Sequence, residues 1–148
     1  MPKPLIPLAF IAALGACSAS DPKISAGDGW ARETGRAHTA AAYVTIQNKG
    51  GADELTGVRS SIGEATLHET SMEQGIMRMR PIEPSQGLSV PSNGKLVLAP
   101  GGAHVMVTGL KRPLVPGDRF GLTFLFGKSK PQRVVVTIKP ATESRMDH

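Results

Sequence analysis

Short stretches of alternating hydrophobic and polar residues, separated by turn residues, run along most of the 148-residue chain. The stretch at 40–48, for example, alternates until it stops at Lys49-Gly50-Gly51. A period of two predicts β-strands with one buried face, and no window shows the 3.6-residue period of a helix. Nine strands are predicted, at 40–48, 54–59, 65–70, 76–82, 88–90, 95–98, 104–110, 120–126 and 133–138.

This succession of short strands predicts an all-β, Greek-key sandwich. The 17 Gly and 12 Pro residues agree with it, because they favour turns over long helices. We expect the last two strands, 120–126 and 133–138, to form a hairpin. The sandwich domain is expected to span 21–140, with a polar lead-in at 21–29 and a polar tail at 141–148.

The first 20 residues are typical of a secretory signal peptide. Lys3 precedes an apolar stretch from Leu5 to Leu14, and small residues follow. Leu14-Gly15-Ala16-Cys17 is similar to a bacterial lipobox, in which the cysteine becomes the first residue and carries lipid. Ordinary cleavage after Ser18-Ala19-Ser20 would instead discard Cys17. Both alternatives predict an exported protein, and only the lipobox alternative attaches it to a membrane, through a lipid at Cys17.

Composition excludes several classes of function. The formal net charge is +5, but the basic residues are scattered and only 4% of residues are aromatic, so no nucleic-acid surface is expected. The single cysteine cannot form an internal disulfide. The chain has no GxSxG nucleophile motif, and its four histidines are too few for a copper–zinc dismutase. We therefore expect no enzyme.

Two histidines and four methionines fall between positions 68 and 106. In a strand, His104 and Met106 project from the same face with Cα atoms about 6–7 Å apart. Val105 supplies the core side, which leaves His104 and Met106 on the other face, and the loop at 100–103 places His104 at the start of its strand. These residues form the first candidate pair of metal ligands.

A second candidate pair, His68 and Met79, flanks a polar stretch with a turn glycine. If the chain doubles back at Gln74-Gly75, the two side chains face each other diagonally across an antiparallel hairpin. Met77 shares a face with Met79 and is the reserve ligand. Two loops of the sandwich are expected to bring both pairs to one edge.

Two imidazoles and two thioethers favour Cu(I), because thioethers are soft, neutral ligands. Zinc sites rarely use Met, calcium and magnesium prefer oxygen, and a blue-copper centre needs a thiolate. The predicted site therefore suits holding and transferring Cu(I). The alternative is that the Met and His residues are structural, which would leave a lipid-anchored β-sandwich interaction domain without a metal role.

At these residues the chain resembles the periplasmic copper chaperone family PCu(A)C, which has a His…Met…His-x-Met copper motif on a cupredoxin-like β-sandwich. The resemblance implies that His68, Met79, His104 and Met106 bind Cu(I). It also implies a periplasmic carrier that delivers copper toward the binuclear copper centre of cytochrome c oxidase, with an oxidase subunit or a Sco-type thiol protein as its partner. The similar segments are 29–32, 41–48, 67–70, 75–81, 98–106, 109–110 and 122–124.

The spacing of the motif departs from the family at one point. Ten residues separate His68 from Met79, as in the family, but the 24 residues between Met79 and His104 are more than usual. Met77 therefore stays open as a substitute for Met79. Trp30 is either close to the site or a core or edge anchor, and the tail residues Met146 and His148 are candidates for a second, weak copper site.

Overall fold

The structure is a computed structural model that describes Pro2 and residues 20–141. The predicted signal peptide, the lipobox at Cys17, and the tail with Met146 and His148 lie outside the described residues, apart from their edges. Within 20–141 the chain forms eleven strands: β1 (Ile24–Ala26), β2 (Gly29–Arg32), β3 (Ala40–Asn48), β4 (Asp53–Ser60), β5 (Glu64–Glu73), β6 (Ile76–Pro81), β7 (Leu88–Val90), β8 (Gly94–Leu98), β9 (Ala103–Thr108), β10 (Arg119–Phe126) and β11 (Gln132–Lys139).

All nine predicted strands are present, and the predicted hairpin of β10 and β11 is confirmed. The prediction of a strandless lead-in at 21–29 is wrong, because β1 and the start of β2 lie there. Both strands are only three or four residues long, too short to show a period of two. They form because they pair with longer strands: β1 pairs with β3, and β2 lies between β3 and β11.

Strand β3 connects the parts of the sandwich. Its first half pairs with β2 and β9, and its second half pairs with β1 and β8. The strands follow the order β6-β5-β9-β3-β2-β11-β10-β4-β7, so most neighbours in space are not neighbours in sequence. The predicted all-β, Greek-key, cupredoxin-like class is confirmed by this architecture and by its structural relatives, described below.

A single cluster of aliphatic and aromatic side chains fills the space between the layers. Phe124, Ile46, Leu55 and Val136 are among its fully buried members. Burial of such side chains contributes about 1.5–3 kcal/mol each. Among the described residues, no helix is long and apolar enough to cross a membrane.

Two buried polar residues hold the turns at one end of the sandwich. The Asn48 side chain accepts the backbone N–H groups of Lys23 and Gly50 and donates to the carbonyl of Gly51. The Asp53 carboxylate accepts the backbone N–H groups of Lys128 and Ser129 and the Ser129 hydroxyl. Asn48 thus joins β1 to the turn after β3, and Asp53 joins β4 to the turn after β10.

Replacement of Asp53 by Asn should destabilise the protein by about 1–3 kcal/mol, because a buried acceptor of several hydrogen bonds is replaced by an amide with fewer acceptor sites. Burial disfavours the Asp53 carboxylate, but hydrogen bonds from Ser129, Glu54 and Lys128 outweigh it and lower its pKa. The wild-type advantage should therefore be complete above the unfolded pKa near 3.9 and decline as pH falls through the folded value.

Urea unfolding of wild type and D53N between pH 7 and pH 3 measures this difference. The exposed Asp28 provides a matched control, since D28N removes the same charge without a buried partner. Equal midpoints for D53N and D28N at pH 7 would contradict the role assigned to Asp53.

Candidate metal centre

Three neighbouring strands, β6, β5 and β9, bring the predicted site residues together. In the register of β5 and β9, His68 lies directly opposite His104. Two pairs further along, Thr66 lies opposite Met106. Directly opposed residues share a sheet face, so both histidines and Met106 lie on one face, while Val105 points into the core on the other.

The predicted hairpin between His68 and Met79 is confirmed. Gln74 and Gly75 form a two-residue turn in which both have positive φ, 52° and 78°. Met79 lies opposite Thr70, two pairs closer to the turn than His68 and therefore diagonal to it on the same face. Met77 lies on the same face, two residues nearer the turn.

The site lies toward an edge of the sheet, as expected, because β6 is an edge strand, but the expectation that two loops assemble it is wrong. The donors lie on adjacent strands, so sheet register rather than loop conformation sets their positions. His104 is the second residue of β9, as expected, yet only 3% of it is exposed. The site is open on the side of β6, where Met79 is 53% exposed.

The two imidazole rings are held with one free nitrogen each. Their centroids are 5.9 Å apart and their planes make an angle of 67°. His104 Nδ1 donates to the Gly102 carbonyl at 3.1 Å, which leaves a lone pair on Nε2. His68 Nε2 lies 3.2 Å from the Thr66 hydroxyl. Within the described part of the chain, His68 Nδ1 and His104 Nε2 are buried without a hydrogen-bond partner.

Unpartnered buried nitrogens are uncommon, because each costs about 1–3 kcal/mol. A hydrogen bond on the far nitrogen of the ring is the usual way in which proteins orient a metal-binding histidine. His104 Nδ1 donates such a bond to the Gly102 carbonyl, and His68 Nε2 is within hydrogen-bond distance of the Thr66 hydroxyl. The pair therefore fits a metal ion chemically, because it presents two buried ring nitrogens without hydrogen-bond partners on neighbouring strands.

The His68 ring favours its neutral form. Burial lowers its pKa, and the adjacent His104 lowers it further. Only a neutral imidazole has a lone pair for a metal, so the surroundings of His68 reduce competition from protons.

The methionines are not core residues. None of the four described between 68 and 106 belongs to the buried cluster, and Met72, Met77 and Met79 are more than half exposed. Met106 is half-buried on the face of the histidines. Core filling, the main structural alternative for these thioethers, is thereby excluded. In the described part of the chain no three His, Cys, Asp or Glu side chains gather, and the Met106 thioether lies on the same sheet face as the histidine pair.

Two residues that the sequence analysis did not select support the site. Tyr43 lies between Trp30 and His104, with ring centroids 4.6 Å from the first and 6.4 Å from the second. Trp30 is therefore an outer member of an aromatic stack against the site. Burial raises the pKa of Tyr43, which Arg32 partly opposes, so its ring remains uncharged. Thr66 is the second residue, and its spacing of two from His68 is the signal that identifies it.

His38 lies apart from this centre. Its Nδ1 donates to the carbonyl of Leu110 at 2.8 Å and connects the segment before β3 to the start of the loop after β9. This bond gives His38 a structural role and agrees with its omission from the predicted ligands.

Comparison with known proteins places the chain in a family. Residues 24–138 match the family described as "Putative lipoprotein LpqE-like". A curated relative, "Putative lipoprotein Lxx21020" of Leifsonia xyli subsp. xyli, is 35% identical over 112 residues, which cover 74% of this chain and 66% of the relative. The chain thus spans just under two thirds of that relative's length.

Solved structures share the fold. The apo PCuAC domain from PmoF1 is 25% identical, with a TM-score of 0.63, and the match covers 80% of this chain and 94% of that one. The Cu(I) form of DR1885 from Deinococcus radiodurans is 26% identical, with a TM-score of 0.57 and coverage of 88% and 85%. The copper-bound PCuAC domain from PmoF2, at 20% identity and a TM-score of 0.63, covers 80% of this chain and 93% of its own, and supports the fold alone. The chain therefore belongs to the LpqE-like lipoprotein family, and its domain is of the PCuAC type that the sequence resemblance predicted.

Proposed function

We propose that this protein is an exported copper carrier that binds one Cu(I) ion and transfers it to another protein. The observation that carries the proposal is the pair of buried, unpartnered nitrogens, His68 Nδ1 and His104 Nε2, at directly opposed positions of β5 and β9. Met106 and Met79 supply the remaining ligands. The Cu(I) form of the Deinococcus radiodurans relative supports the choice of ion.

The donor set selects Cu(I) by softness and charge. Two thioethers and two neutral imidazoles leave the bound ion with a single positive charge, whereas a divalent ion would keep two charges without an anionic ligand. Cu(I) tolerates thioethers, and Zn²⁺ is bound mainly by Cys, His and carboxylates. Zinc binding is therefore expected to be much weaker.

Neutral ligands also suit transfer to an acceptor. Thiolates are stronger ligands for soft ions than thioethers, so transfer from this site to a thiol-bearing acceptor is favourable. A Sco-type thiol protein and the binuclear copper centre of cytochrome c oxidase are the acceptors that the family resemblance proposes. The chemistry of a carrier requires no bond making in a substrate, so we propose no enzymatic activity.

We place this carrier outside the cytoplasmic membrane, in the periplasm, with Cys17 as the site of a lipid anchor. The signal-like residues 1–20 and the lipobox support export. The family and the curated relative are both described as lipoproteins. A lipid at Cys17 would hold the carrier near membrane-bound acceptors.

The first test is a competition titration with a Cu(I) chelator. Wild type should bind one tight equivalent, and M106L should lose at least about tenfold in affinity, or ~1.4 kcal/mol, because it removes the sulfur while nearly conserving volume. M79L should behave in the same way. H104A should lose more, with circular dichroism checking that the buried substitution leaves the fold intact.

M72L provides the matched control, since it removes a thioether from the same hairpin, four pairs away from His68. M72L should still bind one equivalent of Cu(I) with the wild-type affinity. A loss of Cu(I) affinity in M77L with none in M79L would show that Met77, and not Met79, is the methionine ligand. If M106L, M79L, M77L and H104A each kept the wild-type Cu(I) affinity, the copper site would be refuted. The alternative, a lipid-anchored interaction domain without a metal role, would then stand.

The affinity should also depend on pH in a way set by His68. An exposed histidine would lose Cu(I) as pH falls through about 6.5. Because burial and His104 lower the pKa of His68, the proton competes effectively only at more acidic pH. Titrations from pH 8 to pH 5 should therefore show affinity that is constant down to about 6.5 and declines below it. A decline that begins well above pH 6.5 would contradict the lowered pKa.

A further inference from the structure

The hairpin of β5 and β6 exposes three methionines on a single face. Met72, Met77 and Met79 are 66%, 66% and 53% exposed, and they make up three of the seven large apolar side chains that the described chain leaves exposed. Isolated exposed apolar residues are ordinary, but three thioethers on one short hairpin form a patch. Packing within the described chain does not account for them.

Register brings two of the sulfurs together at the turn. Met72 lies directly opposite Met77, next to the Glu73 and Ile76 pair that closes the turn. In an antiparallel ladder the closing pair exchanges hydrogen bonds, so the next pair does not, and its side chains lie closer together. Met79 is two residues from Met77 on the same face, at a Cα distance of about 6–7 Å.

The opposite face of the hairpin is occupied by charges. Arg78 contacts Glu73 at 3.3 Å, and Arg80 forms an ion pair with the same carboxylate. These contacts keep the Glu73 carboxylate away from the thioether face. The thioether face therefore carries the three methionines and the Thr70 hydroxyl, all of them neutral groups.

We propose that Met72, Met77 and Met79 form an outer site for a soft monovalent ion, Cu(I) or Ag(I), from which the ion passes to the inner centre. The proposal rests on the proposed function. Met79 belongs to both sites, because it is diagonal to Met72 on one side and to His68 on the other. Movement of the ion exchanges one neutral ligand for another, so no electron or proton is transferred.

Exposure increases along this path in the direction that transfer requires. His104 is 3% exposed, Met79 is 53% exposed, and Met72 and Met77 are 66% exposed. From the Met72 and Met77 pair to His68 the path spans four residues of β5, about 13 Å. The outer site is the weaker one because it lacks imidazole ligands and is open to water.

The test is an Ag(I) titration of the protein with ¹³C-labelled methionine methyl groups, followed by NMR to two equivalents. The first equivalent should shift the Met106 and Met79 methyl signals, and the second should shift those of Met72 and Met77. The double variant M72L/M77L, which changes only exposed side chains, should lose the second response and keep the first. M146L provides the matched control outside the hairpin and should keep both responses.

Each contrary outcome is distinct. Unshifted Met72 and Met77 signals at two equivalents, or a second response that moves to Met146 or survives in M72L/M77L, would overturn the outer site and leave the inner one standing. Shifts at Met72 and Met77 without any at Met106 would overturn the proposed function while supporting the outer site. In H104A the Met72 and Met77 response should persist, and its loss would overturn an independent outer site.

Discussion

The antiparallel register of β5 and β9 is the constraint on which the candidate centre depends. It sets His68 opposite His104 and Thr66 opposite Met106, and it turns all four toward one face. A slip of one residue would send the β5 side chains to the core face and replace His68 with Leu67. Leu67 and Val105 are both buried in the core, so the free energy of core packing also fixes the geometry of the donors.

The alternation of side chains along β5 and β9 places core residues on one face of the sheet and the candidate metal ligands on the other. One face of β5 and β9 contributes to the aliphatic cluster, and the other face carries the imidazoles and thioethers. The cluster contains no described methionine or histidine, so the core does not need the metal to form. A carrier has to remain folded both before it receives its ion and after it releases it, and this separation meets that requirement.

The solvent exposure of the side chains at the candidate centre increases from His104 toward the hairpin turn. Tyr43 and the core cover His104 from within, while β6, an edge strand, leaves the thioethers in water. The nitrogens His68 Nδ1 and His104 Nε2 are already desolvated, whereas the three methionines of the hairpin are exposed. Under the proposed function, the inner end of the hairpin retains the ion and the turn exchanges it.

The sequence by itself determined the strands with a clear period of two, the turn at Gln74-Gly75 and the shared faces of His104 with Met106 and of Met77 with Met79. These features are local, because two-residue periodicity and turn chemistry involve neighbouring residues. Only the tertiary structure decided that His68 pairs with His104, that Tyr43 lies behind them, and that β1 and β2 form at all. Each of these depends on pairing between strands far apart in sequence, for which a short segment carries no periodic signal.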